Sequence, residues 1–264
     1  MDPMSIVGAV VGIGFILLGQ ILEGGHAGSL IQITAACIVF GGCFGAVLAE
    51  MPLPKFMEAV KIGLQIFKKA PDHSREYIEK IVDCATVVRK QGILALEPKL
   101  QEMTDPFFKK GLQLLIDGTE PRLIREMLEV DMIYREEHYE IGPKLFESAG
   151  GYMPTFGIIG AVIGLIHVME NLDEPSGVGA GIAVAFVATV YGLVAANILL
   201  LPAWKKLLLR GKLHGIDQQM IIEGLMSIAA GENPRLIEEK LTGFLNEAGR
   251  AKASGAEAAP AAAK

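Results

Sequence analysis

The chain has 264 residues, 51% of them hydrophobic, a formal net charge of −6 and a positive mean hydropathy of +0.41. A soluble domain of this length carries more charge and shorter apolar runs, so water is not its only solvent. No basic cluster interleaves with aromatic residues, which excludes nucleic acid as a partner. Cys37, Cys43 and Cys84 are too few and too dispersed for a disulfide framework or a zinc site, and read as small buried hydrophobes.

In chain order, four segments are long enough to cross a bilayer: Ile6 to Leu22, Leu30 to Ala49, Ser148 to Met169 and Val178 to Trp204. Each lacks Asp, Glu, Lys and Arg, and each approaches or exceeds the ~20 residues that a ~30 Å hydrocarbon core requires. The first run has no preceding positive residue and no small-residue cleavage site, so it reads as a retained span rather than a secretion signal. The fourth is the longest at ~40 Å for a rise of 1.5 Å per residue, and is expected to tilt or to project from the membrane. Pro202 and Trp204, followed by Lys205 and Lys206, mark its exit.

All 24 Lys and Arg lie between Lys55 and Lys144 or between Lys205 and Lys264. Basic residues near span ends stay on the cytoplasmic side. Both termini and the large central loop are therefore expected inside, with the short connectors Glu23 to Ser29 and Glu170 to Gly177 outside.

Glycines four apart recur at Gly8/Gly12, Gly41/Gly45, Gly160/Gly164 and Gly177/Gly181, a pattern that lets membrane helices approach closely. An ion path needs a titratable or coordinating group at depth, and the spans hold no carboxylate. Either the protein carries no ion or a partner brings the acid. The polar groups at depth are Thr34, Thr155, Thr189, Tyr191 and Asn197, with His167 near the outer end of the third span. A lone threonine there is most often bonded to its own helix at i−4.

Between the hairpins, Phe56, Val60, Gly63, Leu64 and Phe67 predict an amphipathic helix, lying in the membrane interface or packed as an ordinary core helix. Helical patterns follow over Ser74 to about Leu100 and Asp105 to Leu115, and Pro121 opens another with Leu123, Ile124, Met127, Leu128, Ile133 and Tyr134 on its buried side. On an unbroken helix Lys90 and Glu97, seven apart, share a face. In the tail, Ile216 to Ala230 is periodic and Asn233-Pro234 is an N-cap with proline at N1. Residues Ala251 to Lys264 are Ala-rich and expected to be disordered.

The predicted fold class is all-α, a polytopic membrane protein with four transmembrane helices and a helical cytoplasmic domain. Its parts are a hairpin over 1–50, a cytoplasmic domain with the interfacial helix over 51–147, a second hairpin over 148–204 and a cytoplasmic helical tail over 205–264, disordered after about 250. No nucleophile–base pair, phosphate loop or metal spacing stands out, so no enzyme, cofactor or metal is expected.

The run Leu22-Glu23-Gly24-Gly25-His26, then Leu30-Ile31-Gln32 and Ile38-Val39-Phe40-Gly41-Gly42 to Gly45-Ala46, resembles the first hairpin of the MotA/PomA flagellar stator subunits. So do Arg89-Lys90-Gln91-Gly92 to Glu97, Pro154 to Leu165, and Ala183 to Gly192, so that the similarity runs in order from about Ser5 to Leu245. The resemblance implies a homo-oligomeric ring, five copies in the family's pattern, in the bacterial inner membrane around two copies of a single-span MotB/PomB-like partner. That partner's aspartate supplies the missing carboxylate, and ion flow turns the ring against the rotor's switch protein FliG. By matched positions, Arg89, Lys90 and Glu97 are the rotor-facing charges, Pro154 and Pro202 couple conformation to ion passage, and Thr189 and Thr155 belong to the ion path. Sodium-driven members resemble one another in placing threonines where this chain has Ala161 and Ala188. Hydroxyl oxygens replace a sodium ion's water and methyl groups cannot, so the expectation is proton drive. An ExbB/TolQ-like energiser of outer-membrane processes is the alternative, disfavoured by the first hairpin with its Gly24-Gly25 turn. A secondary transporter is less favoured still, because no inverted repeat is visible.

Overall fold

The computed structural model describes residues 3–67, 73–170 and 175–245, and among them every regular element is helical. The tail expected to be disordered lies outside the described residues. The helices are α1 (Pro3–Leu22), α2 (33–50), α3 (Leu53–Gly63), α4 (Ser74–Gln91), α5 (Glu97–Glu102), α6 (Pro106–Ile116), α7 (Pro121–Glu170), α8 (175–229) and α9 (Pro234–Thr242). The stretches of α1, α2, α7 and α8 that bear the four expected spans are long and apolar enough to cross a membrane. The described residues fall into two compact units, one drawn from Met1–Ala70 and Tyr139–Arg210, the other from Pro71–His138 and Gly211–Lys264.

In the first unit, α1 ends at a turn that only glycine makes cheaply: Gly24 has φ 82, and Gly25 N–H donates to the Gln20 carbonyl at 2.9 Å. The core is built from small residues, with Ala35, Val39, Cys43, Ala188 and Ala196 at its centre. Tyr191 joins α8 to the entry of α2, its hydroxyl donating to the Leu30 carbonyl at 2.5 Å and accepting from Gln32 N–H at 3.1 Å. Those are backbone groups at a helix start, which have no partner within the helix. At the other end of α2, Ser148 Oγ donates to Glu50 at 2.8 Å.

Two π-helical turns interrupt the spans, Cys37–Gly41 in α2 and Ala195–Leu200 in α8. The second has a visible cause. The Asn197 amide donates to the Leu193 carbonyl at 2.9 Å, competing with the backbone donor that an α-helix places there, and Pro202 supplies no N–H of its own. Nothing in the structure explains the first.

The amphipathic segment, α3 with the turn Leu64–Phe67, is apolar on two faces. Ala59, Ile62 and Gly63 are buried, while Leu53, Met57 and Leu64 are exposed, with Lys55 and Lys61 exposed as well. Its C-terminal end is pinned by Gln65, whose carbonyl accepts from the Arg210 guanidinium and whose Oε1 accepts from the Tyr139 hydroxyl at 2.9 Å.

The second unit has a core of large side chains, including Ile81, Leu96, Phe107, Phe108, Leu128 and Leu225. Asp105 caps α6, accepting from Phe107 N–H at 2.7 Å and Phe108 N–H at 3.1 Å, and accepts from the Tyr77 hydroxyl at 2.6 Å. Asn233 caps α9 through Arg235 N–H, as its sequence predicts. Burial pushes the Cys84 thiol up to about 11, which leaves it an inert core residue.

Three expectations need correction. The helix opened by Pro121 and the third span, read separately, are one helix of 50 residues, and the fourth span is joined through its π-helical turn to the periodic segment that ends at Ala229. No positive-φ glycine falls between the pieces, Pro143 and Pro154 sit inside the helix, and i,i+4 pairs such as Glu140–Lys144 at 3.0 Å carry it on. Conversely the helix expected from Ser74 to Leu100 breaks at Gly92, whose φ of 84 and ψ of 171 lie in a region that only glycine enters readily. Finally, of the buried side assigned to the helix from Pro121, only Ile124 and Leu128 are buried. Leu123, Met127, Ile133 and Tyr134 are exposed.

Candidate functional site

The third and fourth spans approach backbone to backbone. A Cβ placed at Gly157 would lie 3.1 Å from the Ala188 carbonyl oxygen, one at Gly164 2.9 Å from that of Gly181, and one at Gly192 2.6 Å from that of Met153. Gly160, Gly164 and Gly181 were legible as small-residue positions; Gly157 and Gly192 belong to the same seam, but their spacing from neighbouring glycines hides them. Gly41 and Gly45 have no such neighbour among the described residues, and Gly42 between them faces Phe156.

This seam positions the residues expected in the ion path. Ala188 is fully buried, its methyl 2.6 Å from where a Cβ at Gly160 would lie. Thr189, next in the chain, is half-buried, and its hydroxyl donates to the Ala185 carbonyl at 3.2 Å. Thr155 is exposed on the third span, with its hydroxyl on the Tyr152 carbonyl at 2.7 Å. Both threonines are thus satisfied by their own helix, and each oxygen keeps lone pairs that a neighbour can use. Ala161 is half-buried. The seam joins the two threonine regions, since a Cβ at Gly157, two residues past Thr155, would lie 3.3 Å from the Thr189 Cα. Among the described residues, no group of three or more His, Cys, Asp or Glu gathers to hold a metal.

Pro154 and Pro202 both lie inside helices, where each leaves the carbonyl four residues back without its usual donor. Pro154 is half-buried one turn past Gly150; Pro202 is exposed and follows the π-helical turn.

Arg89 and Lys90 occupy the last turn of α4, and Glu97 opens α5. The Gly92 break and the turn Ile93–Leu96 separate them, so the shared helical face does not exist and their juxtaposition depends on the turn. All three are exposed, and among the described residues none makes an ion pair or side-chain hydrogen bond. Their neighbour Lys99 behaves differently, pairing with Asp83 at 2.8 Å and Glu102 at 3.3 Å.

Comparison with known proteins places this arrangement. Residues 6–92 match the family model for the motility protein A N-terminal region, and residues 99–221 match that of the MotA/TolQ/ExbB proton channel family. Chemotaxis protein PomA of Vibrio alginolyticus is 34% identical over 251 residues, covering 95% of this chain and 98% of that protein. The chain belongs to the MotA/PomA family of flagellar motor stator subunits. Motility protein A of Borreliella burgdorferi is 33% identical, with 96% and 97% covered. Among solved structures, that of C. jejuni MotAB superposes with a TM-score of 0.89 at 34% identity, covering 94% of this chain and 97% of that one. The flagellar MotAB stator complex from Bacillus subtilis gives 0.88 at 30% identity, covering 96% and 100%. As a family member the chain is a multi-pass protein of the inner membrane with an ion-channel role in the stator, and the family is one of proton channels rather than enzymes. The motility protein A match over the first hairpin favours this family over ExbB/TolQ.

Proposed function

We propose that copies of this chain, five in the family's pattern, surround two copies of a MotB/PomB-like single-span partner, and that proton flow past the partner's aspartate turns the ring against FliG. One observation carries this: the four spans hold no Asp, Glu, Lys or Arg, yet they present Thr155 and half-bury Thr189 beside a close-packed seam. A channel protein with no acid of its own needs one from outside the chain. Both termini are cytoplasmic, as the confinement of every basic residue to the central loop and the tail supports.

Exposed apolar side chains support the ring. Leu123, Met127, Val130 and Tyr134 recur at i, i+4, i+7 and i+11 along α7, and Val130 and Tyr134 are 68% and 70% exposed. On a water-facing segment such a stripe is the mark of a protein contact. The unpaired Arg89, Lys90 and Glu97 are suited to meet charges on FliG, since no internal partner has to be displaced. Pro154 and Pro202, each of which removes the usual donor of the carbonyl four residues back, are the places where the spans bend most cheaply as an ion passes. The reading of proton drive rests on Ala161 and Ala188, whose methyl groups offer a sodium ion no oxygen where sodium-driven members carry hydroxyls.

Thr189→Val tests the path, because it keeps the shape and removes the hydroxyl. The complex with its partner is expected to assemble at the normal mass while proton flux into liposomes and motility are abolished. Flux that persists in Thr189→Val returns this threonine to a purely structural role, and proton flux from the chain reconstituted alone overturns the partner carboxylate.

A further inference from the structure

The tie from Tyr191 to the start of α2 lies two residues from Thr189. From Pro175 to Val194 the helix of the fourth span is regular, and at ~3.6 residues per turn each residue advances by about 100° around the axis. Thr189 therefore points about 200° away from Tyr191, to the opposite side of the span. Tyr191 shares its side with Val184 and Ala195, which pack into the small-residue core. Thr189 shares its side with Ile182, Phe186 and Leu193, all of them exposed. We propose that Tyr191 is a positioning residue for the ion path, whose hydroxyl fixes the rotation of the fourth span about its own axis and so keeps the Thr189 oxygen turned toward the partner's helix. This rests on the ion-path reading of Thr189 given above.

Three observations point to rotation. The first is the kind of contact made along the seam. Toward the third span the fourth offers Gly181, Ala185, Ala188 and Gly192, residues that admit a neighbouring backbone but present no long side chain to interlock. Such a seam holds two helices together and resists turning only weakly, whereas a hydrogen bond loses strength steeply as its angle closes. The second is the double engagement of the hydroxyl. It donates to the Leu30 carbonyl and accepts from Gln32 N–H, and Gln32 is the N-cap of α2, whose N–H has no partner within the helix. Two bonds to the backbone of another span fix a direction that one flexible side-chain partner leaves free. The ring adds to the lock, lying 6.0 Å from that of Phe40 on α2 at a tilt of 37°. The third is what a turn does to the path. Ile182, Phe186 and Leu193 flank Thr189 on its side of the helix, so a rotation of the span replaces an oxygen by hydrocarbon where the proton passes.

The test uses the complex of the chain with its single-span partner, carrying Cys37→Ser to remove an exposed thiol, and reads the direction of position 189 by disulfide cross-linking. In Thr189→Cys, cysteines placed one at a time along the partner's span are expected to cross-link within a narrow set on one face. Adding Tyr191→Phe, which removes the hydroxyl and keeps the ring, is expected to spread the cross-links to flanking positions while native mass spectrometry finds the complex at its normal mass. With Thr189 in place, Tyr191→Phe is expected to lower proton flux into liposomes about tenfold, as the misplacement of a positioned group does. Phe40→Leu, which loosens the ring contact, is expected to spread the cross-links in the same way and less widely. Should Tyr191→Phe fail to assemble, Phe40→Leu decides, and an unchanged pattern there overturns the proposal. A purely structural tie lowers the thermal midpoint and leaves the cross-links alone, so an unchanged pattern in Tyr191→Phe overturns the proposal whatever the flux, and wild-type flux in Tyr191→Phe does so too. The two claims fail separately. Flux that persists in Thr189→Val, or Thr189→Cys that cross-links nowhere along the partner, overturns the ion-path reading; a cross-link that forms and that Tyr191→Phe leaves unchanged overturns the rotational role alone.

Discussion

The two units of this chain solve the packing problem with opposite materials. Around the spans the buried core is mostly small, with Ala35, Val39, Cys43, Ala188, Ala195 and Ala196 outnumbering Leu145 and Met153; in the other unit it is mostly large, including Phe107, Phe108, Ile81, Leu112, Leu128 and Leu225. In water, burying a large apolar side chain is itself the driving force, so large residues win. In hydrocarbon, lipid tails are as apolar as leucine, and helices hold together by close backbone approach, so small residues win. Glycines serve both needs. Those at 157, 164 and 192 admit a neighbouring backbone, whereas Gly92, Gly118 and Gly231 all have positive φ at turns.

Replacing a core residue of the second unit attacks the material it depends on, and Phe108→Ala is expected to have the largest effect, destabilising that unit by about 3–5 kcal/mol. Thermal unfolding of the purified complex, followed by limited proteolysis, reads it. Ala188→Gly at the centre of the membrane core removes one methyl and is expected to cost about 1 kcal/mol, mostly as backbone entropy. Equal losses at the two sites would erase the contrast between the units.

A pair of glycines sharpens it. A Cβ at Gly192 meets the Met153 carbonyl oxygen at 2.6 Å, a backbone atom that moves only if the third and fourth spans separate. The Cβ of Gly111→Ala meets the end of the Leu225 side chain, which has a rotamer to give. Gly192→Ala is therefore expected to cost about 1–3 kcal/mol and to weaken assembly, with Gly111→Ala less damaging. The thermal midpoints of the two variants check the order, and a reversal would show that the seam yields more readily than a leucine.

The smallest expected effect is electrostatic and belongs to the second unit alone. Burial by itself raises the Glu223 carboxyl, but hydrogen bonds from Arg125 at 2.9 Å and Lys240 at 3.2 Å outweigh it, and the net shift is downward. A depressed folded value means that the stabilisation is present above the unfolded carboxyl pKa of about 4.3 and is lost as pH falls through the folded one. Acid titration of stability is expected to show this loss in wild type and to be flatter in Glu223→Gln. An identical acid limb in both proteins would remove Glu223 from the account.

The four spans, the all-helical class, the amphipathic segment after Pro54 and the Asn233 cap were legible because each rests on local chemistry: a run of apolar residues, a period, a side chain beside the N–H it caps. The missing carboxylate was legible for the same reason, since the lack of an acid in a span needs no fold to be noticed. Periodicity misled where it had to separate protein from protein. Leu123, Met127, Ile133 and Tyr134 follow a helical period just as Ile124 and Leu128 do, and the pattern states that a face is apolar without stating whether this chain or another molecule covers it.

The sequence alone therefore determined which segments are apolar enough to cross a bilayer and that none of them holds an acid, because hydrophobicity and charge are properties of residues one at a time. Tertiary structure decided the rest. Gly92 parts Lys90 from Glu97, the Asn197 amide stands against a π-helical turn, Tyr191 reaches the backbone at Leu30 and Gln32, and α1, the amphipathic segment and α8 line an apolar cavity beside Lys206. Each of these depends on distances between residues remote in the chain or on a backbone angle, and neither quantity is carried by composition or spacing.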